Sequence, residues 1–226
     1  MMSYWVLFIG VALVSWLISA LFNSRIKKYS QIPLNSNMTG ADVARKMLRD
    51  NGIDDVEVVH TAGRLTDHYN PVDKTVNLSD VVYASRSVAA AAIAAHECGH
   101  AVQHACAYAP LKMRSALVPV VSFSSKYVMW VLLAGMFLIN TFSALMLTGI
   151  VLFAATTLFS FITLPVEINA SKRALVWLRS EGVTDNTQQP IAESALRSAA
   201  YTYVVAALSS LATLLYYIWI FLGRRN

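Results

Sequence analysis

The residues best equipped for chemistry sit together as His96-Glu97-Cys98-Gly99-His100, with His104 four residues further on. They fall inside an alanine-rich run, Ser87 to Ala107, that holds no proline and no two-residue alternation, so an α-helix is the expected element. Four residues is close to one helical turn. His96 and His100 therefore share a face, and their imidazoles can hold one Zn²⁺. Glu97 lies about 100° further round and can reach a water on that ion as general base. With five histidines among 226 residues, composition alone seldom produces this pattern on a helix. The expected chemistry is zinc-dependent hydrolysis.

A catalytic zinc takes three protein ligands and leaves a position open, so one ligand is still needed. His104 continues the four-residue series. A straight helix climbs about 12 Å over eight residues, however, too far for three side chains to converge on one ion. His104 is expected instead as a contact around the site or to substrate. Glu167 is the favoured third ligand, because carboxylate is an accepted partner of two histidines and Pro165 should break the preceding helix and start a new one beside it. His68, Tyr69 and Arg173 are the candidate donors to a developing oxyanion. Of these, His68 and Tyr69 belong to Asp67-His68-Tyr69, the most polar cluster of the strand-forming region.

These side chains need a scaffold, and composition names its class. Hydrophobic residues make up 56% and charged residues 14% of the chain, with a mean hydropathy of +0.50, which places it in a membrane. The net charge of +5 comes from basic residues beside apolar segments, so it is read as a topology signal and excludes a nucleic-acid surface. Cys98 and Cys106 stand eight apart on the same expected helix, too far for a disulfide, and read as free thiols suited to a reducing compartment.

The expected fold is an α-helical membrane protein of about four transmembrane helices carrying a small α+β zincin-like catalytic unit. Residues 1–23 form an anchor, retained because Arg25, Lys27 and Lys28 follow it. Residues 24–116 form the catalytic segment, 117–164 a transmembrane hairpin turning near Asn140, 165–198 the third-ligand segment and loop, and 199–226 the last span and tail. Within the catalytic segment, Thr39 should cap a helix with Asp42 at its third position, ending at Asp50 before Asn51-Gly52. An antiparallel sheet should follow, with Val56, Val58 and Leu65 on one face and a turn at 70–74. Its strand Lys74–Ser79 is the expected exposed edge, able to take up a peptide backbone.

Four spans place His96 and Glu167 on one side of the bilayer, since a hairpin separates them. Arg25, Lys27, Lys28, Lys112, Arg114, Lys172, Arg173, Arg179 and Arg197 lie on that side, against Arg224 and Arg225 on the other. The positive-inside bias thus assigns the catalytic segments to the cytoplasmic face of the plasma membrane.

Three separated stretches carry a resemblance over nearly the whole chain: His96 to His104, Leu65-Thr66-Asp67-His68-Tyr69-Asn70-Pro71, and Pro165-Val166-Glu167-Ile168-Asn169-Ala170-Ser171. Together they resemble the YugP-type neutral zinc metallopeptidases of bacterial membranes and, more distantly, the HtpX and prenyl-protein peptidases. The resemblance implies a zinc metalloendopeptidase of gluzincin type acting on a protein or peptide substrate in a lipid bilayer. In the distant group an Asp is common where Ser171 stands here, which puts the hydrogen-bonding role of that position in question. A catalytically silent zinc-binding scaffold or assembly factor is the alternative, and a regulatory membrane partner is left open. A transporter is disfavoured, because the apolar spans contain almost no ionisable residue beyond Lys126.

Overall fold

The computed structural model describes residues 4–223. Its elements, in order, are α1 (Tyr4–Tyr29), α2 (Gly40–Asp50), β1 (Glu57–Thr61), β2 (His68–Asn70), β3 (Thr75–Ser79), α3 (Asp80–Tyr83), α4 (Val88–Ala105), α5 (Ala109–Phe137), α6 (Ser143–Ser180) and α7 (Gln189–Gly223). Four of them, α1, α5, α6 and α7, are long and apolar enough to cross a membrane. Arg224 and Arg225, used above for orientation, lie outside the described residues. The chain divides into two compact units, one formed by residues 17–111 and 165–202 and the other by residues 4–16, 112–164 and 203–223.

In the second of these, α5 and α6 turn at residues 138–142, which include Asn140. Small residues let their backbones close up. A Cβ on Gly135 would lie 2.6 Å from the Met146 Cα, and one on Gly149 would lie 2.7 Å from a Leu132 methyl. Leu132, Met146, Ile150 and Tyr217 form the core of this unit, and Thr157 is hydrogen-bonded to Ser210 between α6 and α7 at 2.7 Å.

The first unit holds all the residues singled out for chemistry. Its α2 begins at the expected place: the Thr39 hydroxyl accepts from the Asp42 N–H, and the Asp42 carboxylate accepts from the Thr39 N–H, a reciprocal capping box. The apolar face of α2, with Val43, Met47 and Leu48, packs into a core shared with Val76, Leu78, Val82 and the alanines of α4. Alanine dominates α4 because that helix is enclosed on nearly every side, and a methyl group is what close neighbours allow.

Two expectations about the sheet are overturned. It is mixed rather than antiparallel, with strand order β1-β3-β2: β1 runs parallel to β3, with Val58 opposite Val76, and β2 runs antiparallel to it. Strand β3 is accordingly central, so Lys74–Ser79 is not an edge; β1 and β2 are the edges. Both errors have one cause, since alternation of apolar residues has a period of two in either kind of ladder and carries no information on strand order. Leu65 is not on the inner face of a strand either. It lies between β1 and β2, exposed, with φ of 59°.

Pro165 does not break a helix. α6 runs through it without interruption, so Glu167 sits within a 38-residue helix rather than at the start of a new one. The ring removes a single intrahelical bond, the one its N–H would make to the Phe161 carbonyl, and a long apolar helix tolerates that loss.

Candidate metal centre

Two helices build the site. α4 presents His96, Glu97, His100 and Gln103, and α6 presents Glu167, Asn169 and Ser171. They approach closely because Gly99 faces Ala170: a Cβ at Gly99 would lie 2.6 Å from the Ala170 carbonyl oxygen. One turn of α6 away, Glu167 then reaches across to the two histidines. Its Oε2 lies 3.2 Å from His96 Nε2 and 3.6 Å from His100 Nε2.

Those spacings can be tested against a metal. Ligand atoms about 2.0–2.1 Å from a tetrahedral ion stand roughly 3.3 Å from one another. The two measured distances bracket that edge, and one donor atom from each of the three residues lies within 4.8 Å of the others. Two imidazoles and a carboxylate are also the donor set zinc accepts. The residues fit the ion.

Each histidine is oriented from behind. His96 Nδ1 is 3.0 Å from the Ser171 hydroxyl, and His100 Nδ1 is 3.1 Å from Gln103 Oε1. With a metal ion between the histidines and Glu167, a proton kept on each Nδ1 and donated to these oxygens would leave both Nε2 lone pairs free for the ion. Gln103 is completely buried and its amide is fully used: Oε1 accepts from His100, while Nε2 donates to the Val166 carbonyl at 2.8 Å and to Asn169 Oδ1 at 3.0 Å. Burial pulls the His100 pKa down, and the carboxylates of Glu167 and Glu97 more than offset that, leaving it above the ordinary imidazole value.

Glu97 is turned toward the sheet, where its Oε2 accepts the Tyr69 N–H at 3.1 Å. That N–H lies on the side of β2 away from β3, so the free edge beside the site is β2. The Tyr69 hydroxyl is 2.8 Å from His104 Nδ1, which links the two at the exposed end of the site. His104 is not one of the three grouped donors.

Two other candidates are occupied elsewhere. His68 is exposed and its Nδ1 contacts the Thr66 carbonyl, while the Arg173 guanidinium donates to Asn169 Oδ1 at 2.8 Å and contacts Cys106. Asp67 serves the sheet by accepting from both the N–H and the hydroxyl of Ser79, although burial pushes its carboxyl pKa up. Cys98 is fully buried with its thiol pKa raised by desolvation, and Cys106 is exposed; both are free.

Gln103 went unassigned in the sequence, and Ser171 was placed in question. The signal for Gln103 was available: an uncharged polar residue in an alanine run, three positions after a candidate ligand histidine and hence on its face. For Ser171 the resemblance marks the position and the structure supplies the partner: the hydroxyl meets His96 Nδ1, a contact that depends on how α6 lies against α4.

Comparison with known proteins places the chain in a family. No solved structure matches the chain. It is 44% identical over 203 residues to the "Putative membrane protease YugP" of Bacillus subtilis (strain 168), covering 90% of this chain and 89% of that protein. A family model described as "Putative neutral zinc metallopeptidase" matches residues 4–222. On both counts the chain belongs to that family of neutral zinc metallopeptidases.

Proposed function

We propose that the protein is a membrane-bound zinc endopeptidase that hydrolyses peptide bonds of membrane or membrane-proximal proteins. His96, His100 and Glu167 hold the metal, and Glu97 acts as general base. The observation that carries this reading is the convergence of three donor atoms at spacings that suit one tetrahedral ion. Residues 24–116 and 165–198 form the catalytic part, a zincin-like unit of gluzincin type, while residues 1–23, 117–164 and 199–226 form the membrane part. The basic residues flanking the spans favour a cytoplasmic catalytic face in the plasma membrane.

Bound zinc supplies a Lewis acid and lowers the pKa of water toward neutrality. The chain's own residues do the rest. Ser171 and Gln103 hold the imidazoles with Nε2 forward, and the Glu97 carboxylate takes the proton from water and passes it to the leaving amine. The Tyr69 N–H aims Glu97 and lies on the open edge of β2, where an extended substrate can add as a further strand. Tyr69 is the oxyanion donor we favour, because its strand lies beside Glu97 and its hydroxyl, paired with His104, stands at the exposed end of the site.

Glu97→Gln provides the test. The variant should retain zinc and lose peptide cleavage, and a substrate-trapping comparison of membranes holding wild type or variant should enrich the uncleaved substrate. Full cleavage by Glu97→Gln would overturn the assignment. A scaffold would behave differently, losing its role with His96→Ala and keeping it with Glu97→Gln.

A further inference from the structure

A second polar concavity shares no residue with the metal centre. It has a volume of about 320 Å³ and is lined by Arg25 of α1 and by Pro190, Glu193, Ser194, Arg197 and Tyr201 of α7. Arg25 follows the apolar run of residues 5–22 on its own helix, and Arg197 precedes the apolar stretch of α7 that begins near Tyr203. Where a spanning helix changes from apolar to basic, it meets the lipid headgroup layer. Here two helices do so at the walls of one cavity.

The cavity is built and its charges are available. The Tyr29 hydroxyl is 2.9 Å from the Ser194 hydroxyl, which ties α1 to α7 beside it. Among the described residues, Arg25 makes no hydrogen bond or ion pair. Arg197 pairs with Glu193 one turn away, but their side chains are 58% and 47% exposed, so that pair is solvated and weak enough to be re-partnered. Guanidinium groups match phosphate oxygens in a fork geometry, and a carboxylate matches a primary ammonium. Two of the former and one of the latter fit a phosphate–ammonium zwitterion better than a bare anion.

We infer that this cavity binds the headgroup of a phospholipid carrying a primary ammonium, with its phosphate held by Arg25 and Arg197 and its ammonium by Glu193. A quaternary ammonium has no N–H to donate to Glu193, and a glycerol headgroup has no cation. The site therefore distinguishes phosphatidylethanolamine from phosphatidylcholine and phosphatidylglycerol. The inference is independent of the peptidase reading.

The test is native mass spectrometry of the full chain, delipidated in detergent and offered each of the three lipids in turn. Wild type should retain phosphatidylethanolamine about tenfold better than the other two, the factor that 1.4 kcal/mol represents. Arg25→Gln/Arg197→Gln should lose retention by a similar factor, and Glu193→Gln should erase the preference over phosphatidylcholine while leaving phospholipid bound. Arg197→Gln alone, at an exposed side chain, keeps the test in force should the double variant fail to fold. Equal retention of all three lipids, or variants indistinguishable from wild type, would overturn the inference. So would displacement of the lipid by inorganic phosphate at matching concentration, which would identify a free-phosphate site.

Discussion

Gly99 of α4 and Ala170 of α6 meet backbone to backbone, with room for a hydrogen at Gly99 and nothing larger. This contact sets the reach of Glu167, which lies on the same helix as Ala170, to the histidines on either side of Gly99.

Gly99→Ala is the direct probe. In an open helix the change would gain about 1 kcal/mol from propensity. Here the new methyl would sit 2.6 Å from a carbonyl oxygen on a rigid helix, and overpacking costs about 1–3 kcal/mol, so the steric effect wins. Zinc affinity, measured by competition with a chelating dye, should fall more than thermal stability does.

Gln103→Leu keeps the volume and removes the acceptor for His100 Nδ1. Loss of such an outer partner typically lowers metal affinity about 10–100-fold. Gln103→Glu restores the acceptor but sets an oxygen against the Val166 carbonyl and Asn169 Oδ1, so it should remain below wild type in both affinity and stability. Unchanged zinc binding in Gln103→Leu would show that packing alone orients His100.

Ser171→Ala should weaken zinc about tenfold through His96. Ser171→Asp introduces a carboxylate behind the same ring and should restore binding. Zinc titration of both variants, alongside wild type, reads the result.

Chelation supplies a separate measurement. A ligand that binds only the folded state stabilises it by about 4 kcal/mol at a thousandfold excess over Kd. Removing zinc should therefore lower the unfolding temperature of wild type and leave that of His96→Ala/His100→Ala unchanged.

Asp185 should make a modest, solvent-screened contribution to acid sensitivity: its carboxylate accepts from the Thr187 hydroxyl and N–H, the Gln188 N–H and the Asn35 amide. The Thr187 hydroxyl, followed by the Gln188 N–H and Asn35, lowers its pKa from 3.8 to about 2. A depressed folded-state pKa means the stabilisation is present above the unfolded value and is lost as pH falls from 3.8 to about 2. Unfolding followed across that window should show wild type converging on Asp185→Asn. A gap that stays constant with pH would contradict the assignment.

Local order was legible in the sequence because its causes are local. The helical spacing of His96 and His100, the Thr39–Asp42 cap and the apolar lengths of α1, α5, α6 and α7 each depend on neighbours within a turn or on a run of one composition. Glu167 could be favoured over His104 from helical rise and span counting, although the helix break expected at Pro165 was absent. Tertiary structure decided the remainder. β3 became the central strand because pairing order is not written in a two-residue period, so the open edge beside Glu97 belongs to β2. Gln103 and Ser171 acquired their partners only when α4 and α6 closed at Gly99 and Ala170, since a hydrogen bond between distant segments depends on packing that no local pattern encodes.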